Sequence, residues 1–584
     1  MKRLLLTALM FLSARTCIAE TWPLDAVDRR IHIIGEAKVA NGALGTSIVL
    51  DGDSLIELQD SARLASGAFT VSLWFNPYDL AGGQQMLVGK NRYSLNQRQW
   101  SLTIEPNGKL KAYLQQGGWS TISCTEPLKA GAWHWVTLVV DSEKAALFLN
   151  GKPAGEVGLK TPVASTEAPI TLGGIRDADK VHQSFTGALD ELTLEPRALK
   201  ADEVAEGYRP VSATHDVTKV VGLPLWDAGQ ALPGAADLPQ VQGAEFHVIK
   251  KRAPDDDQCR FTLGVGLAWH KGRLYASYGF NRGEENTPTE EAHVKASDDG
   301  GKTWGPAVVM DAGEGDLAVS HGVFLSHGGR LWAFMGAYHD HVEKYHRVHT
   351  RAYLLDESSG RWEPRGVVIE DGFWPMQEPQ KMADGNWIMA GLHLSPLAKG
   401  ANLPTVAISR GDDFTKWDAV VIPAAPGVGT NVWGESTVIV DGPEVINISR
   451  YGKKARALLS TSEDYGRTWT PTAPSNLPMA TSKPYAGTLS TGQRYLVCTT
   501  TADTGGRRSP LTIAVSRPGE TLFSKVFLIR TSVFERTPGV SDPKTDFSYP
   551  YAVEHEGKLY LGYTHKSHMA NELAVIPVDA LRVE

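Results

Sequence analysis

From about residue 246 onward the chain repeats itself every 50 to 65 residues, and a repeat of that length leaves few folds open. Trp304, Trp362, Trp417 and Trp469 follow one another at steps of 58, 55 and 52 residues, and Phe523 continues the series 54 later. Each ends a related turn. Ser297-Asp-Asp-Gly-Gly-Lys-Thr-Trp304 and Ser462-Glu-Asp-Tyr-Gly-Arg-Thr-Trp469 share the pattern Ser-x-Asp-x-Gly-x-Thr-Trp, and the other copies are degenerate. A second series, a glycine turn before an apolar strand, recurs at Gly272, Gly329, Gly385, Gly442, Gly492 and Gly557, with steps of 57, 56, 57, 50 and 65. Six copies of about four strands each predict a six-bladed β-propeller over residues 246–584. The Asp of the turn accepts backbone N–H bonds, the Gly takes a conformation that a Cβ forbids, and the Trp packs inward. These are structural residues.

Residues 22–208 read differently. Phe69-Thr-Val-Ser-Leu-Trp-Phe75 alternates with period two, Trp133-His-Trp-Val-Thr-Leu-Val-Val140 follows, and Ala145-Ala-Leu-Phe-Leu149 runs into Asn150-Gly151, a hairpin signal. Ile170-Thr-Leu172 and Phe185-Thr-Gly-Ala-Leu-Asp-Glu-Leu-Thr-Leu194 complete the set. In this order the strands resemble the laminin-G-like, concanavalin-like jelly roll. That resemblance implies an all-β sandwich of a kind that commonly binds glycans or proteins; a purely structural appendage stays open, since fold alone does not give function. Residues 209–245 lack periodicity and read as a linker.

Residues 1–19 have the form of a cleaved signal peptide: Lys2 and Arg3, the apolar run Leu4 to Leu12, and Cys17-Ile18-Ala19 before the cut. No later segment is long and apolar enough to span a membrane, so a secreted or periplasmic protein is expected. The formal net charge of −8, without a basic block, argues against nucleic-acid binding. Cys124, Cys259 and Cys498 are too scattered for a disulfide framework or a metal motif and read as buried thiols. His339, His341, His346 and His349 lack metal-ligand spacing, and no cofactor is called for.

The repeat also marks equivalent positions near the channel. Shortly before each glycine lie Arg260, His321, Gln377-Glu378, Glu435, Lys483 and Tyr549; eight or nine residues after it lie Asn281, Tyr338, His393, Arg450, Thr500 and His565. Two rings of largely polar groups in a core-like region are costly unless used, so these are substrate-pocket candidates.

Here the chain resembles the sialidase (neuraminidase) superfamily. The Ser-x-Asp-x-Gly-x-Thr-Trp turns are similar to its Asp boxes. Arg260 resembles its first arginine. Glu435 in Trp433-Gly-Glu-Ser-Thr-Val-Ile-Val440, with Arg450 fifteen residues on and an Asp box at Ser462, resembles its catalytic Glu and second arginine. Arg508-Ser-Pro-Leu resembles the strand of the third arginine, with Arg507 competing, and Ser548-Tyr549 the segment of its nucleophile, with Tyr551 competing. The resemblance implies that Arg260, Arg450 and Arg508 bind the carboxylate of a terminal sialic acid, that Tyr549 attacks, and that Glu435 is its base. The chemistry is coherent: guanidiniums hold a carboxylate, and a neutral tyrosine avoids the repulsion a carboxylate nucleophile would meet. The match fails in one place. The family's acid/base Asp belongs on the loop Asn281-Arg-Gly-Glu-Glu-Asn-Thr-Pro-Thr-Glu290, which holds none. Glu285 stands at the most plausible distance, and Glu284, Glu290, His321 or Asp340 are alternatives. Two other functions stay open: a glycosidase or lyase acting on uronic acids, favoured by His321 and His393, and a non-catalytic glycan-binding protein.

Overall fold

The computed structural model is all-β and divides into two compact units: residues 1–80 with 84–216, and residues 217–584 with 81–83. It describes residues 19–583 except 27–28, 36, 53, 66, 79, 81–82, 178–179, 212–222, 340–345, 371, 395–401, 426–427, 429–431, 453, 503, 505, 532, 535–536, 542–545 and 566–569. The expected signal peptide, but for its last residue, lies outside the described residues, as do Asp340 and His341. No helix among the described residues is long and apolar enough to cross a membrane.

The first unit is the expected concanavalin-like sandwich. One sheet centres on Phe69–Pro77, paired antiparallel with His134–Val140 on one side and Thr186–Glu195 on the other. The second sheet runs through Trp119–Pro127, Lys109–Gln115, Gln97–Ile104 and Gln85–Arg92. Alternating side chains of both sheets, Phe69, Leu73, Trp100 and Leu102 among them, form one dry core. Removing a ring such as Phe69 from it would cost about 3–5 kcal/mol. Asn150 and Gly151 turn Lys144–Leu149 into Lys152–Gly158 with φ of 52° and 75°, as a two-residue hairpin turn with both φ positive requires.

The second unit is a propeller of six antiparallel sheets. Their inner strands are Phe261–His270, Leu317–His327, Phe373–Pro375, Val432–Asp441, Tyr485–Thr488 and Phe547–His555, which open blades one to six. Blade six is closed by the start of the domain: Glu245–Lys251 pairs with Ala570–Pro577 as its outermost strand. The two full Asp boxes behave as expected. Asp299 accepts Thr303 N–H at 2.9 Å and Asp464 accepts Thr468 N–H at 2.8 Å. Gly301 has φ of 87°, and a Cβ there would lie 2.2 Å from Leu573 of the preceding blade. Within the 209–245 stretch, Leu225 and Trp226 are buried against blades four and five, their N–H groups both 2.8 Å from Asn476 Oδ1 of blade four. The three cysteines are buried free thiols.

Candidate functional site

The inner strands of blades one, two, four and six share an irregularity near the end where each begins. Their pairing with the second strand slips between Leu263 and Val265, Val319 and Gly322, Val432 and Ser436, and Ser548 and Tyr551. A slip of this kind is a bulge, and bulges re-aim side chains. The residues inside the four slips are Gly264, Ser320-His321, Trp433-Gly434-Glu435 and Tyr549-Pro550. They meet. Glu285, Glu290, His321, Trp374, Trp433, Glu435 and Tyr549 line one cavity.

Its centre is a short chain of contacts. The Tyr549 hydroxyl donates to Glu435 Oε1, and Glu435 Oε2 accepts from Arg450 Nη1 at 2.8 Å. Glu435 is 1% exposed. Burial alone would raise its pKa; the Arg450 charge, the Tyr549 bond and the Arg508 charge outweigh burial and hold it below the usual carboxylate range. Arg450 lies over Trp433, 5.7 Å from the ring centroid. Arg508 is half-buried, with Nη1 2.9 Å from Ser548 Oγ and Nη2 2.9 Å from Thr481 O; its neighbour Arg507 is exposed. Tyr549 has a left-handed φ of 52°, rare for a bulky residue. Tyr551 instead is buried, its ring centroid 4.9 Å from that of Tyr485.

His321 stands edge-on to Tyr549, ring centroids 5.1 Å apart, and its Nδ1 meets Ser320 Oγ at 3.0 Å. Burial, with Lys483 nearby, drops its pKa to about 3, so the ring is neutral at any ordinary pH. The loop that lacks the expected Asp brings two carboxyls to the cavity. Glu285 is half-buried there. Glu290 is fully buried and takes hydroxyl bonds from Ser320 and from Tyr338, the latter at 2.9 Å. Burial and the neighbouring Glu285 charge raise its pKa.

Other sequence-derived candidates stand apart from this group. Arg260 is exposed at the start of blade one, and its backbone N–H bonds Asn281 O at 2.9 Å. Asn281 shapes the loop: its side chain bonds Glu284 O at 2.8 Å and Thr289 Oγ1 at 2.6 Å. Gln377 ties blades together through Val438 and Ala486, so its amide is not presented to a ligand. Glu378 accepts the Tyr485 hydroxyl at 2.6 Å. His393 is half-buried at the end of Trp387–His393 and does not line the cavity. His565 lines a different groove of ≈ 740 Å³ and lies 3.4 Å from Glu572. Periodicity alone did not fix their depth, since Arg260 is exposed and Gln377 buried, and cross-blade contacts decide which way each is used. Sequence reasoning passed over Ser320, Trp374 and Met376; only the bulge at Val319–Gly322, invisible in a periodic pattern, marks the first.

Residues 50–205 match the concanavalin A-like lectin/glucanases superfamily, and residues 262–563 match the BNR repeat-like domain family. No curated protein matches the chain. Among solved structures, a mutant NanB sialidase from Streptococcus pneumoniae is 12% identical, covering 91% of this chain and 98% of that one at a TM-score of 0.43. The leech intramolecular trans-sialidase is 13% identical, covering 95% and 98% at 0.42, and a Dyadobacter fermentans protein of unknown function is 13% identical, covering 58% and 100% at 0.45. The family match spans more than half of the sequence, and the chain belongs to the BNR repeat-like family, carrying a concanavalin-like domain ahead of its six-bladed propeller.

Proposed function

We propose that this protein is an exo-α-sialidase that releases terminal sialic acid with retention of configuration, and that it acts outside the cytoplasm after export. One observation carries the reading: the Tyr549 hydroxyl bonded to a buried Glu435 whose other oxygen is held by Arg450. A phenol in contact with a carboxylate kept ionised can lose its proton as it attacks. Arg450 and Arg508 supply cationic groups beside that phenol for the substrate carboxylate, and Arg260, exposed at the start of blade one, is the third candidate.

The steps balance. Tyr549 Oη attacks the anomeric carbon, its proton passes to Glu435, and the departing glycosidic oxygen takes a proton from Glu285. Water then gives a proton to Glu285 and attacks the same carbon; the tyrosine leaves and recovers its proton from Glu435. Glu285 fits the acid/base role better than Glu290 because both oxygens of Glu290 are occupied by hydroxyls. A uronic-acid lyase with His321 as proton carrier is less well supported, since burial holds that ring neutral down to about pH 3. A sugar-binding role for the first unit remains part of the proposal, with sialylated glycans as partners.

The test is to incubate the purified protein with a fluorogenic α-sialoside and with sialylated mucin, and to assay free sialic acid, with Tyr549→Phe alongside. Release by the wild type and loss in the variant support the reading. No release from either substrate overturns it and turns attention to acidic polysaccharides.

A further inference from the structure

Lys483 is a buried cation with no part in the steps above. It precedes the blade-five inner strand, is 3% exposed, and its Nζ donates to Pro550 O at 2.8 Å. The Tyr485 and Tyr551 rings flank it, with centroids 5.4 and 5.9 Å from Nζ. A lone ammonium is expensive to bury, so its position needs a reason. Pro550 follows Tyr549 directly. Tyr549 holds a left-handed φ of 52°, which is unfavourable for a bulky side chain and persists only when its surroundings over-determine it. Three side-chain bonds do so: Arg508 to the Ser548 hydroxyl before it, Lys483 to the Pro550 carbonyl after it, and Tyr549's own bond to Glu435.

We propose that Lys483 is a positioning residue: by gripping the Pro550 carbonyl from blade five, its ammonium holds the blade-six turn that keeps the Tyr549 hydroxyl on Glu435. The inference rests on Tyr549 being the nucleophile. The groups around Lys483 also make its charge sensitive to pH. Burial lowers its pKa to about 7, opposed by the charges of Glu435 from blade four and Glu378 from blade three and by Cys498 of its own blade. The sign follows. Below neutrality the ammonium is charged and the grip is full; as pH rises through about 7 the charge is lost and the grip weakens. His321 is neutral throughout this range, with its pKa at about 3. Tyr485 and Tyr551 titrate well above 10, and Cys498 is pushed up to about 12. Glu378, whose pKa burial raises, is the neighbour that needs its own control.

The experiment compares wild type, Lys483→Met, Lys483→Arg and Glu378→Gln on the fluorogenic α-sialoside from pH 5 to 9. Lys483→Met should lower kcat about 100-fold, as a misplaced nucleophile does, with KM nearly unchanged, and should lose the decline near pH 7. Lys483→Arg should restore kcat in part and move the decline beyond pH 9. Glu378→Gln should keep the decline but shift it to lower pH. The melting temperature of the Met variant should not fall, because an apolar isostere removes a buried charge. A Met variant with wild-type kcat and pH profile overturns the proposal, as does one whose loss of activity merely tracks a lower melting temperature. A second arm needs no turnover: in protein labelled with ring-13C tyrosine, the Tyr549 signal, assigned by its absence in Tyr549→Phe, should move near pH 7 in the wild type and not in Lys483→Met. Identical titrations overturn the proposal. An inactive wild type with distinct titrations would sink the sialidase reading alone.

Discussion

Two stretches of the cavity lining bury a glutamic acid, and they treat it in opposite ways. Glu435, in the bulge of blade four, touches Arg450 and feels Arg508, and its carboxyl stays ionised although water is excluded. Glu290, at the end of the blade-one loop, has two hydroxyls for partners and Glu285 for a neighbour, and its pKa rises. Both are fully buried. Desolvation is therefore common to the two, and the presence of a guanidinium decides the direction in which each pKa moves.

The largest effect tests the ionised side. Tyr549→Phe should reduce kcat by at least about 1,000-fold and Glu435→Gln by about 100- to 1,000-fold, measured as released sialic acid. Equal activity of either variant and wild type would remove the pair from the mechanism. Next comes the guanidinium itself. Arg450→Met makes the surroundings of Glu435 resemble those of Glu290, so its pKa should rise. The variant should lose about 30-fold or more in kcat/KM, and the acid limb of the kcat profile should move to higher pH. An unmoved limb would show that Arg450 does not set the charge of Glu435.

The same contrast marks what a sequence can disclose. The propeller was legible because its turns demand particular residues: Gly301 and Gly466 both hold a left-handed φ, 87° and 80°, which strains any side chain, so both copies of the full box call for glycine. The jelly roll was legible through alternation and through Asn150-Gly151, which two positive φ values require. The repeat phase put Glu435, Arg450 and Tyr549 among two rings of candidates, and the resemblance to the sialidase superfamily set them apart from the others. The opposite fates of Glu435 and Glu290 could not be read in the sequence, since they depend on which blade lends a charge. Nor could the use of Gln377 as a tie between Val438 and Ala486, or the placing of His565 with Glu572 in another groove, because contacts across blades have no fixed spacing along the chain.

On the other side of the cavity lining, Glu285→Gln should slow hydrolysis of a natural sialoside about 100-fold and that of an aryl sialoside much less, because an activated leaving group needs no proton. Glu290→Gln should change both substrates alike and only slightly. If instead Glu290→Gln shows the leaving-group dependence, the acid is Glu290 and Glu285 serves to raise its pKa.

The smallest effect is thermodynamic and compares the two carboxyls without any substrate. Glu290 has a folded-state pKa above its unfolded value, so between those two values the native state holds more protons than the unfolded chain. Its contribution to stability therefore declines as pH rises through that window, by up to about 1.4 kcal/mol per pH unit. Glu435 has a folded-state pKa below its unfolded value, so its contribution is present above the unfolded pKa and is lost as pH falls through the folded one. Melting temperatures taken from pH 4 to 8 should thus show Glu290→Gln gaining on the wild type as pH rises, while Glu435→Gln falls further behind, because its loss leaves the Arg450 guanidinium without its carboxylate. Parallel curves for the two variants would mean that the cation beside Glu435 makes no difference to its proton, and the contrast between a carboxyl with a lowered pKa and one with a raised pKa would fail.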